Sequence, residues 1–120
     1  MSMPFVHLRV HSEFSLSDSV VRIPDLAATA RTQGMPAVAL TDLNNLFGVV
    51  KFYRETVAAG IKPVVGADVY LENAADPHKP FRLLLLCQNL EGYRELCRLL
   101  TRAYVEGQHS GRPCIAKSWL

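Results

Sequence analysis

The sequence predicts an α/β fold in which a mainly parallel sheet or barrel is covered by helices. Three observations carry this. Strand-like and helix-like segments alternate along most of the chain. No internal repeat or low-complexity linker interrupts the alternation. A chain of 120 residues, 49% hydrophobic and 20% charged, has enough apolar surface for one core and too little length for several domains.

Residues 5–11 alternate strictly, with Phe5, His7, Arg9 and His11 on one face and Val6, Leu8 and Val10 on the other, which is the pattern of a strand. Residues 12–21 are rich in Ser and Asp and read as a loop. Pro24 and Asp25 then open a helix that runs to Gln33 and is closed by Gly34 and Pro36. Residues 37–40 form a short buried strand. It ends in the cap-forming run 41–45, after which a second helix carries Leu46, Val50, Tyr53 and Val57 along one side and stops at Gly60.

Residues 64–71 are rich in β-branched side chains and predict a strand, with Gly66 marking a bulge or a close backbone contact. A polar turn over 73–80 separates it from a strand over 81–87, and these two can pair antiparallel. The clearest helix follows. Tyr93, Leu96, Cys97, Leu100, Ala103 and Tyr104 keep the three-and-four spacing of a buried stripe, Asn89 serves as N-cap and Gly107 as stop. Residues 112–120 read as a loop, a Ser118 cap and the first residues of another helix, so the chain is expected to be a piece of a longer one.

Composition excludes several functions. Thirteen Lys plus Arg against eleven Asp plus Glu leave a net charge of +2, too little for nucleic-acid binding by bulk charge. The three cysteines form no CxxC pair and are odd in number, which predicts neither a zinc ribbon nor a disulfide framework and fits a reducing cytoplasm. The longest unbroken apolar stretch, residues 83–87, is too short to cross a bilayer, and no signal segment is visible.

In parallel α/β folds the sites lie at the carboxyl ends of the strands. Those ends carry Arg9 and His11, Asp42, and Asp68. Positions 7, 9 and 11 project to one side, where a His-x-His pair would present two imidazoles to one metal, but the middle member here is Arg9, which is permanently protonated and cannot ligate a cation. His7 and His11 are about 13 Å apart along a strand, too far to share an ion.

Other features have simpler readings. Arg94, Arg98 and Arg102 form a stripe beside Glu91 and Glu95, a solvated and self-paired helix face. Cys87 and Cys97 read as core residues, His78 and His109 as solvated turn residues, and Asn44 and Asn45 as helix caps rather than an anion site.

Three strings, FVHLRVHSEFSL at residues 5–16, ALTDLNNLFGVVKFY at 39–53 and GIKPVVGADVY at 60–70, together resemble the amino-terminal polymerase and histidinol phosphatase (PHP) domain of bacterial replicative, C-family DNA polymerases. The resemblance runs from residue 5 to residue 120. It implies that residues 1–120 are the amino-terminal part of a PHP-type distorted (β/α) TIM-like barrel. Metal-binding members of the family carry His-x-His at the positions of Arg9 and His11, a His at Leu43 and a Glu at Asp68. With Arg9 and Leu43 unable to ligate, the resemblance implies a degenerate site with no metal, no cofactor and no catalytic residue in this segment. Arg9 is expected to bridge Asp42 and Asp68 in place of the metal.

The implied parent is a DNA-directed DNA polymerase of the cytoplasm that uses divalent metal, Mg2+, in a core beyond this chain. The implied partners are the proofreading exonuclease (epsilon) subunit and other replicase subunits, with DNA reached through the parent and no membrane. The alternative is a metal-dependent PHP phosphoesterase or 3′–5′ exonuclease that uses His11, Asp42, Asp68 and further ligands from the rest of the barrel.

Overall fold

A computed structural model of the chain describes residues 5–15, 19–109 and 111–120. The regular elements, in order, are α1 (Ile23–Thr32), β1 (Ala37–Leu43), α2 (Val49–Ala58), β2 (Lys62–Leu71), β3 (Phe81–Leu86), α3 (Leu90–Glu106), β4 (Gln108–His109) and β5 (Arg112–Ile115). Single 3-10 turns lie at Glu13–Ser15 and Lys117–Trp119.

β2 is the centre of the sheet. It pairs in parallel with β1, from Ala37 opposite Lys62 to Leu43 opposite Asp68. On its other side it pairs antiparallel with β3, from Gly66 opposite Leu86 to Leu71 opposite Phe81. β1 turns away after Leu43, and β5 takes the vacated edge, placing Cys114 opposite Tyr70 and Ile115 opposite Leu71. β4 closes a short antiparallel ladder on β5.

Side chains alternate between the faces of a sheet, and the register sorts them. Val38, Leu40, Ala67, Val69, Leu83, Leu85 and Ile115 fall on one face. The helices cover that face in two side-by-side clusters. Ile23, Ala30, Met35, Phe52 and Ile61 pack with Val38 and Leu40, while Leu96, Leu100 and Ala103 pack with Ala67, Val69 and Ile115. The opposite face carries Val64, Asp68, Tyr70 and Leu84, and its strand edge at Leu86 remains exposed.

Four expectations need correction. Residues 5–11 are not a regular strand. They run beside β1, with Ala39 N–H donating to the His7 carbonyl and Thr41 N–H to the Val10 carbonyl, so three residues are spaced against two. Val10 N–H turns instead to Thr41 Oγ1 at 2.8 Å, which takes it out of the ladder.

The second correction concerns α2, whose buried side chains are Phe52 and Thr56. Val50, Tyr53 and Val57 are exposed. The third is that β1 extends through Thr41, Asp42 and Leu43, so these are strand residues rather than caps. Gly48 is the N-cap of α2, with no side-chain cap, and a Cβ there would come within 2.7 Å of Ile23. Last, residues 112–115 form β5 and not a loop, and the turn that follows is 3-10.

α1, β2, β3 and α3 match their sequence signals, whereas β4 lies in a stretch that carries none and takes His109 out of a turn. Asn89 caps α3 by accepting from Gly92 N–H at 2.9 Å. Gly66 is a close backbone contact, since a Cβ there would lie 2.2 Å from the Leu85 carbonyl oxygen. The middle of the 12–21 loop, residues 16–18, lies outside the described residues.

Candidate functional site at the strand ends

The register places Asp42 opposite Ala67 and Leu43 opposite Asp68. Asp42 and Asp68 are therefore one residue out of step on neighbouring strands, and a one-residue step sends side chains to opposite faces. Both are buried, at 1% and 0% exposure. Each has its own set of partners.

Asp68 lies on the open face and gathers cations. Its Oδ2 is 2.7 Å from Arg82 Nη2, 2.9 Å from His11 Nε2 and 3.3 Å from Arg9 Nε. The Arg82 Nε donates more weakly to Oδ1 at 3.4 Å. Burial raises the pKa of this carboxyl, but the hydrogen bonds from Arg82 and His11 and the charges of Arg82 and Arg9 outweigh it and hold the group below its ordinary value of 3.8. The Arg82 guanidinium also lies 5.5 Å from the centre of the Tyr70 ring, as does that of Arg112.

Asp42 faces the helix side and is held by the turn that follows His11. The Ser12 N–H donates to Oδ1, the Ser12 hydroxyl to Oδ2 at 2.8 Å and the Ser15 hydroxyl to Oδ1 at 2.8 Å. Ser15 Oγ also accepts the Leu43 N–H at 3.0 Å. Arg9 thus reaches Asp68 while, among the described residues, serines and a backbone N–H hold Asp42. Arg9 is not placed to bridge both carboxylates, because the two leave the sheet in opposite directions.

Ser12, Ser15 and Arg82 are the residues that sequence reasoning missed. The lone cation in Phe-Arg-Leu-Leu-Leu-Leu was a signal for Arg82, because an arginine inside an apolar strand needs a counter-charge. The serines sat in a run read only as loop.

Asn44 takes a left-handed backbone, φ 58°, as the chain leaves β1. Its N–H donates to the Asp68 carbonyl at 2.8 Å, and its own carbonyl accepts from the Tyr104 hydroxyl at 2.9 Å. Asn45 donates to the Phe14 carbonyl at 2.7 Å. The asparagines thus fasten the β1–α2 loop to the turn below it and to α3. Within the arginine stripe on α3, Arg98 pairs with Glu95 and Arg102 with Glu106.

These residues do not fit a metal cluster. Two guanidiniums converge on Asp68, where a cation would have to sit, and Leu43 offers no donor. Among the described residues no three His, Cys, Asp or Glu side chains converge in an arrangement that could hold a metal ion.

A mixed sheet with a parallel β1–β2–β5 core, helices on one face and polar residues at its strand ends defines the class, a segment of a TIM-like barrel. Two solved structures share this fold. An amidohydrolase from Chromobacterium violaceum matches 82% of this chain and 32% of its own, with a TM-score of 0.60 at 17% identity. A candidate metal-dependent phosphoesterase from Bifidobacterium adolescentis matches 82% of this chain and 33% of its own, at TM-score 0.55 and 16% identity.

The PHP domain family matches residues 7–120, and the chain belongs to that family. It is 47% identical over 121 residues to DNA polymerase III subunit alpha of Pseudomonas fluorescens, covering 100% of this chain and 10% of that protein. The same subunit of Pseudomonas aeruginosa is 46% identical, again over 100% of this chain and 10% of that protein. That of Neisseria meningitidis serogroup A is 50% identical, over 84% of this chain and 9% of that protein. The chain spans about a tenth of the length of the curated relatives it matches. No helix among the described residues is long and apolar enough to cross a membrane.

Proposed function

We propose that this chain is the amino-terminal PHP segment of a replicative, cytoplasmic DNA polymerase III alpha subunit, and that it serves DNA replication as a structural and interaction module whose strand-end site works without a metal. The observation that carries this is the state of Asp68. It is buried, paired with Arg9 and Arg82 and hydrogen-bonded to His11, so the charge a metal would supply comes from the two guanidiniums. Nucleotidyl transfer with Mg2+ belongs to the parts of the longer protein outside this chain. The segment's own contribution is a rigid sheet on which the proofreading exonuclease subunit and other replicase subunits can dock, with DNA reached through the parent.

The test uses the full-length alpha subunit. Wild type, His11→Gln and Asp68→Asn are compared for bound manganese and for phosphoesterase and 3′–5′ exonuclease turnover. Neither substitution is expected to change bound manganese, no turnover is expected in any of the three, and the exonuclease subunit should co-elute with the wild type. Manganese-dependent turnover that disappears in Asp68→Asn would establish a metal-dependent phosphoesterase or nuclease instead.

A further inference from the structure

His78 and His109 are far apart in the sequence, and each reads there as a solvated turn residue. The fold brings them into contact. Their ring centroids are 5.8 Å apart with the planes tilted by 45°, and both residues are exposed. With Pro77, Pro80, Arg112 and Cys114 they line a shallow cavity of about 150 Å³.

Both imidazoles are carried on well-fixed backbone. The turn bearing His78 is clamped by Asn73, whose amide donates to the Lys79 carbonyl at 2.9 Å, and by Asp76, which accepts from His78 N–H at 3.2 Å. His109 sits in β4, opposite Arg112 of β5. The Arg112 guanidinium, which lines the same cavity, lies over the Tyr70 ring at 5.5 Å from its centre.

We propose that His78 and His109 form a two-imidazole site for a borderline divalent transition ion, Zn2+, Ni2+ or Cu2+, with water completing the coordination. The geometry supports this. An ion held by one nitrogen of each ring at about 2.0–2.1 Å keeps the ring centres about 5–6 Å apart, which is the spacing observed. Neutral imidazole is a favoured ligand for these ions. The pair is separate from the Asp68 site in the fold and shares no residue with it.

Zn2+ alone is the probe, titrated into the full-length protein that carries this chain at neutral pH. Wild type is expected to bind one equivalent whose dissociation constant rises at least about tenfold in His78→Gln or in His109→Gln, since even changes one shell out from a metal cost that much. The double variant should lose at least as much as either single one. With Cu2+ as the probe, the EPR spectrum should show coupling to two nitrogens. Cys114→Ser and Asp68→Asn are both expected to keep the site. Equal Zn2+ binding by wild type and the double variant would overturn the proposal, as would loss of the equivalent in Cys114→Ser, which would make it a thiolate site, or in Asp68→Asn, which would put the ion at the strand ends. Because His78 and His109 are exposed, circular dichroism of the double variant should match wild type, so a null result reports on ligation and not on folding.

Discussion

Asp68 shows how a buried carboxylate is kept ionised by its surroundings. Its closest partner is Arg82, at 2.7 Å, and Arg9 stands farther off at 3.3 Å with 53% of its side chain exposed. Arg82→Met should therefore cost about 1–3 kcal/mol by leaving a buried charge short of a partner. Arg9→Ala should cost less than about 1 kcal/mol, because solvent screens the exposed pair. Urea midpoints of the two variants would rank them. The pH dependence has a definite sign. Since the folded carboxyl is held below its ordinary value of 3.8, the unfolded chain takes up the proton first as the pH falls. The stabilisation is fully present above about pH 4 and is lost as the pH drops through the folded value. Asp68→Asn should flatten that acid limb. Of this site, Arg9, His11 and Asp68 could be read from their strand-end positions. The separation of Asp42 from Asp68 could not, because it depends on a one-residue register between β1 and β2 that no single strand encodes.

At the scale of elements, α2 shows where periodicity misleads. The spacing of Val50, Tyr53 and Val57 predicts that their side is buried, but the buried side runs through Phe52 and Thr56. Packing decides, because Phe52 meets Ile23, Val38 and Leu40 in the first core cluster. Phe52→Ala is accordingly expected to cost about 3–5 kcal/mol, whereas Val50→Ser should stay within about 0.5 kcal/mol of wild type. Parallel thermal melts would separate the two. α1 and α3 were legible because Pro24, Gly34, Asn89 and Gly107 mark their ends in the sequence. β4 and β5 were not, since each is too short to show an alternation and gains its strand geometry only from its partners.

The whole molecule is a sheet dressed on one side. Helices bury Ala67, Val69 and Leu40, while Leu86 and the side chains around Asp68 face outward. Such a sheet with helices on a single face suits a wall of a barrel, whose other face looks inward to further strands. The way β5 takes over the edge that β1 leaves also has a kinetic consequence. β1, α2, β2 and β3 follow one another directly and can assemble as they are made. β5 reaches Tyr70 and Leu71 only after the whole of α3 has been laid down, so its docking must close a long loop and belongs late in folding. Ile115→Val should then speed unfolding and leave the refolding rate nearly unchanged, while Leu40→Ala should slow refolding, a contrast that stopped-flow chevrons would resolve. Growing from the ribosome, this segment would acquire its carboxylate site before its last strand has locked into place.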